Sequence, residues 1–132
     1  MGRVVVDTNV LVSGIFFGGS PYKVLMLVLA GREQMVLSDK LYAEYERVCR
    51  EMHSLKGGTG IEPLLALLRS KALWVRPLSG KARYCADPMD DMLFECALAA
   101  APCTLVSGDK AVLAASIEGV HVMKPTEFLK RS

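Results

Sequence analysis

Asp7 closes the apolar run Val4-Val5-Val6, and Asp109 follows Thr104-Leu105-Val106-Ser107 with only Gly108 between. Two carboxylates just beyond two short apolar segments can share a ligand if those segments lie side by side. Either residue alone fits an ordinary N-cap or turn, where Asp is favoured. A third group is harder to explain locally. Asp87, Asp91 and Glu95 recur every four residues and would stack on one helical face, where like charges repel by roughly 0.2–0.5 kcal/mol per pair. A helix N-terminus welcomes acids in its first turn. That accounts for Asp87 and Asp90, but not for Glu95 more than a turn further in, whereas a cation against the face accounts for the whole stack. Glu44 lies three residues past Leu41 and four before Val48. It therefore borders an apolar stripe and can point the same way, although a boundary Glu is also a common surface residue. Oxygen-only ligands select hard cations, so Mg²⁺ or Mn²⁺ is expected over zinc. Such ions lower the pKa of a bound water and offset charge on a phosphorus-centred transition state. A pair about 3.5–4 Å apart clamps attacking and leaving oxygens together.

These acids need elements that gather them. The sequence predicts short apolar strands at Val4 to Asp7, Gln34 to Leu37, Leu73 to Arg76, Thr104 to Ser107 and Val120 to Met123. Between them it predicts a helix opened by Ser20-Pro21 and ending near Gly31, and a second capped by Ser38. The second carries Leu41, Tyr45, Val48, Cys49 and Met52 at the helical period. After the glycine-rich break Lys56 to Gly60 comes a helix with Ile61, Leu64, Leu65, Leu67 and Leu68, then one from Asp87-Pro88 to Pro102. Lys110 to Ala115 and Thr126 to Lys130 read as short helices. Strands alternating with helices, each strand nearly all apolar, predict an α/β three-layer sandwich: a central, mostly parallel sheet with helices on both faces. Ligands of such sheets bind beyond the carboxyl ends of the strands, where Asp7 and Asp109 would stand.

The order and context of the acids resemble the PIN-domain family. Val-Val-Val-Asp7-Thr8-Asn9-Val-Leu-Val-Ser is similar to that family's first strand and Asp-Thr-Asn turn. Asp91-Met-Leu-Phe-Glu95-Cys-Ala-Leu-Ala-Ala resembles its third-acid helix, and Leu-Val-Ser107-Gly-Asp109-Lys its last motif. The resemblance runs from Arg3 to about Leu129, around a matching Glu44. It implies a Mg²⁺- or Mn²⁺-dependent endoribonuclease whose metal-binding and catalytic acids are Asp7, Glu44, Asp91 and Asp109. Glu95 would be an additional ligand, and Thr8, Asn9 and Ser107 supporting polar residues. Within the family the chain is most similar to toxin components of bacterial or archaeal toxin–antitoxin pairs, of VapC type. That implies an antitoxin protein as partner, blocking the acidic pocket with an Arg or Lys. Met89 departs from that branch, which often carries a further acid there. A catalytically silent PIN scaffold that binds RNA or protein is the alternative, since folds outlive activities. DNA cleavage is another, because no residue reads a 2′-hydroxyl. A haloacid-dehalogenase-type phosphatase needs a second Asp two residues after the first, where Asn9 stands. A receiver domain needs a phospho-accepting Asp at a middle strand end, and those end in Ser38 and Pro77.

Composition is compatible with this reading. A chain of 132 residues, 52% hydrophobic, has room for a single domain over residues 1–132 with one sizeable core. The longest apolar runs, such as Val24 to Ala30, are too short for a bilayer, and the start of the chain carries no signal-peptide pattern. No membrane association and a cytoplasmic location are therefore expected. Cys49, Cys85, Cys96 and Cys103 have no Cys-x-x-Cys spacing and sit in apolar stretches, so they read as small hydrophobes. The net charge of +2 hides an asymmetry. With the four proposed metal-binding acids set apart from the 14, 16 basic side chains face 10 acidic ones, a balance that suits an RNA substrate. The Leu-rich helices around Leu25 to Leu29 and Leu64 to Leu68 are apolar around much of their circumference. They predict either a homodimer or deep burial against the sheet.

Overall fold

The computed structural model describes residues 2–58, 60–77, 84 and 87–131. Among these residues five strands are found: β1 Arg3–Val6, β2 Gln34–Leu37, β3 Leu73–Trp74, β4 Cys103–Val106 and β5 Val120–Met123. Seven helices accompany them: α1 Thr8–Phe16, α2 Gly19–Leu29, α3 Asp39–Lys56, α4 Glu62–Lys71, α5 Pro88–Leu98, α6 Lys110–Ala114 and α7 Pro125–Arg131. The strands form one sheet, all parallel, in the order β3-β2-β1-β4-β5. The chain therefore winds outward from β1 in one direction, then returns to β4 on its other side. Right-handed crossovers put the two runs of helices on opposite faces. Accordingly α5 packs on β1, β2 and β4, while α1 packs on α2 and α3, and α2 on α4 and α7. The three-layer α/β sandwich read from the sequence is the observed fold.

Cover on both faces explains the strand sequences. Val4, Val5, Val6, Leu105 and Val106 are almost wholly buried, so no alternation of polar and apolar residues marks them. Tyr45 on α3 is also fully buried, and its hydroxyl donates to the Val6 carbonyl. That bond pins α3 to the carboxyl end of β1. Cys49, Cys96 and Cys103 are buried free thiols, pushed up to about 11, 12 and 11 by burial. They are structural, as expected; Cys85 lies outside the described residues.

Several boundaries differ from the sequence reading. A helix, α1, begins directly after Asp7 and precedes the one expected at Ser20. Gly18, with φ of +84°, caps α2 in place of Ser20, and Pro21 falls within its first turn. The chain bends by 98° between α1 and α2, which the positive φ of Gly18 and Gly19 permits without a Cβ penalty. Strand β3 stops at Trp74 instead of Arg76, although the Val75 N–H still bonds the Leu37 carbonyl at 2.9 Å. Helix α5 ends at Leu98, short of Pro102. Among the described residues no single helix is long and apolar enough to cross a membrane.

Candidate active site

In a sheet of this order the strand connections diverge between β1 and β4, opening a crevice at their carboxyl ends. Val6 and Val106 are paired in register, so the next residues, Asp7 and Ser107, emerge side by side. The Ser107 hydroxyl donates to Asp7 Oδ2 at 2.7 Å and accepts the Asp109 N–H at 3.0 Å. One buried oxygen thus fixes both acids. Each also caps a helix: Asp7 Oδ1 accepts from the Asn9 N–H at 3.4 Å, and Asp109 Oδ1 from the Ala111 N–H at 2.9 Å. The capping role weighed from the sequence is therefore real, and it coexists with clustering.

A groove of about 100 Å³ opens here, lined by Asp7, Thr8, Asn9, Glu44, Asp90 and the side chains of Met92 and Leu93. Glu44 reaches it because Tyr45, its neighbour, anchors α3 beneath Asp7. Its carboxylate is also held by Arg47 at 2.7 Å. The acid that α5 contributes is Asp90. Burial first, then the charges of Asp109, Asp7 and Asp87, push its pKa up to about 6, and Asp109 lies within hydrogen-bonding reach of it. Asp7 is raised as well, chiefly by burial and further by Asp109, against the lowering effect of its bonds from Ser107 and Asn9.

Asp91 and Glu95, assigned to this cluster from the sequence, do not line this groove. Asp91 is buried and accepts the Tyr84 N–H at 2.9 Å. Glu95 lines cavities beside Arg76. The reason is helical geometry. On α5 the buried Leu93, Phe94 and Ala97 lie at three-, four- and seven-residue steps from Asp90, whereas Asp91, itself buried beside Tyr84, and Glu95 are rotated from Asp90 by about 100° and 140°. The spacing of four between Asp87, Asp91 and Glu95 marks a different face from the one that lines the groove. The apolar phase of the same helix would have selected Asp90.

Among the described residues no three His, Cys, Asp or Glu side chains form a ready metal shell as they stand. The donor set nonetheless fits a hard divalent cation. Asp7, Glu44, Asp90 and Thr8 present oxygens to one groove, and Asp7 and Asp90 carry charges that burial and mutual repulsion disfavour. A cation would relieve both penalties.

Residues 3–111 match the family model described as the PIN domain. The chain belongs to that family, a nuclease-type fold that commonly uses divalent metals. No curated protein and no solved structure matches it.

Proposed function

We propose that this PIN domain is a Mg²⁺- or Mn²⁺-dependent endoribonuclease acting at the β1/β4 crevice. The observation that carries the reading is the convergence of Asp7, Asp90 and Asp109 from three elements, with Asp7 and Asp90 both raised by burial and by the charge of Asp109. Glu44 completes the groove from α3. Asp7, Glu44, Asp90 and Asp109 would hold the cation. When bound, it activates water and offsets charge on the phosphate under attack. Ser107 orients Asp7 and Asp109 through its two hydrogen bonds. Desolvated and set among other carboxylates, the Asp7 and Asp90 carboxyls retain protons in the metal-free protein to a higher pH than ordinary Asp. The excess of basic side chains outside the cluster suits RNA as the polyanion.

The motif resemblance further supports a toxin of a toxin–antitoxin pair, with an antitoxin that sets a cation in this groove. Arg47 already meets Glu44 at its rim, so a guanidinium is compatible with the groove's charge. The same contact, which engages a Glu44 oxygen, favours the competing reading of a silent RNA- or protein-binding module. An RNA cleavage assay with Mg²⁺, Mn²⁺ and EDTA separates them. Cleavage that needs the cation and is abolished in Asp7→Asn supports the enzyme. RNA binding without cleavage in any of these conditions rejects it. Asn caps helices as well as Asp, so this variant removes charge and not the cap.

A further inference from the structure

Glu95, displaced from the acidic groove, faces a neighbouring cavity of about 220 Å³. This cavity stands over the carboxyl ends of β2 and β3, with Ser38 following one strand and Val75 the other. Met92 of α5 lines both it and the acidic groove. The two sites are thus neighbours along one sheet edge, one to two strand spacings apart, or about 5–10 Å. A polymeric substrate cut in the groove has to continue somewhere, and this is the adjoining hollow.

Its chemistry is unlike the groove's. Val75, Pro77 and Met92 supply apolar wall; Lys40 and Arg76 supply cations; Asp39 and Glu95 supply carboxylates. That combination matches one nucleotide: a flat base against the wall, a phosphate near the cations, and acceptors for the base edge. Single-stranded RNA is read through unstacked bases hydrogen-bonded along their edges. A carboxylate accepts from an exocyclic amino group, as on cytosine, whereas uracil offers it only N3–H, flanked by two carbonyl oxygens that repel a carboxylate. We propose that this cavity is a base-binding subsite for the nucleotide next to the scissile phosphate, selecting bases that carry an exocyclic amino group. The subsite rests on the nuclease reading above for its place beside a scissile bond.

The test uses the full chain carrying Asp7→Asn, so that bound RNA is not cut, with labelled hexamers of cytidylate and uridylate as probes in Mg²⁺. The cytidylate hexamer is expected to bind at least about fivefold more tightly. Adding Glu95→Gln and Asp39→Asn together should bring that ratio toward one, and thermal melting would confirm that the variants fold. Adding Arg76→Ala should weaken both hexamers and lower the slope of log affinity against log salt by about 1. Equal affinity for the two hexamers, absence of binding, or a cytidylate preference untouched by the paired substitution each overturn the subsite. The parent reading is judged separately, by cleavage with the unsubstituted protein. Cation-dependent cleavage without base preference sinks the subsite alone. A cytidylate preference carried by Glu95 and Asp39 without any cleavage sinks the nuclease and leaves a binding pocket.

Discussion

The Ser107 hydroxyl makes two hydrogen bonds that serve the site, joining Asp7 to the Asp109 backbone, while the sheet is served by its backbone N–H, which donates to the Met123 carbonyl. Ser107→Ala would leave the strand intact and free Asp7 to turn. Partners of this kind typically cost 10–100-fold in metal affinity or activity when removed, and that loss is expected here in cleavage rate or Mn²⁺ titration; an unchanged rate would show that Asp7 is held by its cap alone. Asp90 and Asp91 make a sharper pair, one bond apart in sequence and on different faces. Asp90→Asn should cut cleavage by at least about 100-fold, beyond what a supporting residue costs, while raising the melting temperature in EDTA by removing a repelled charge. Asp91→Asn keeps an oxygen to accept the Tyr84 N–H and should cleave within a few-fold of the unsubstituted protein. Reversal of that order would make Asp91, as read from the sequence, the α5 ligand. The sequence revealed that acids gather here because Asp7 and Asp109 follow strands, and strand ends are legible. It did not reveal that Asp90 lines the groove, because a charge repeat of four and an apolar repeat of three to four point in different directions on the same helix.

Among the elements, α1 was invisible for a physical reason. Beyond Thr8 and Asn9 most of Thr8–Phe16 is apolar, and only Asp7-Thr8-Asn9 separates that run from the apolar strand, so periodicity alone does not show where one ends and the other begins. What marks the boundary is Asp7 as cap, and an Asp at a strand end reads equally well as a site acid. Gly14 is the tightest point of the packing between α1 and α2: a Cβ there would meet the Pro21 carbonyl oxygen at 2.8 Å and carbon at 3.0 Å. Helix propensity favours Gly14→Ala by about 0.5–1 kcal/mol, but forcing backbone apart in a packed interior costs about 1–3 kcal/mol. The clash should win, and denaturant titration should show net destabilisation of about 1–2 kcal/mol; a gain in stability would mean that α2 shifts freely. The anchoring of α3 is testable in the same way. Tyr45→Phe removes a buried hydroxyl from the Val6 carbonyl and should cost about 1–3 kcal/mol. Because Glu44 rides on that anchor, cleavage should fall along with stability. Helix α3 itself was readable from Leu41, Tyr45 and Cys49 at the helical period, all of which are buried.

At the scale of the whole molecule, the Leu-rich helices that suggested a homodimer turn most of their side chains inward, with Leu25, Val28, Leu65 and Leu68 buried and Leu67 exposed. A homodimer is still the proposal for light scattering to decide, and a strict monomer of 14.4 kDa would reject it. The site makes a firmer statement about global stability and pH. Asp90 is raised from 3.8 to about 6 in the folded chain, and Asp7 is raised too. Between those values the folded metal-free protein holds more protons than the unfolded chain, so its stability falls as pH rises through about 6. A divalent cation works in the opposite sense, because it binds the ionised carboxylates of the folded state and competes with their protons. Binding at 100 times the dissociation constant adds about 2.7 kcal/mol, which for a domain of this size is about 10 °C in melting temperature. Melting curves with Mn²⁺ and with EDTA should therefore nearly coincide at pH 5 and separate progressively between pH 6 and 7.5. The separation should vanish in Asp7→Asn and Asp90→Asn. Parallel curves across that range would mean that the raised carboxyls at the β1/β4 crevice take no metal, and that their repulsion is carried by the fold for another purpose.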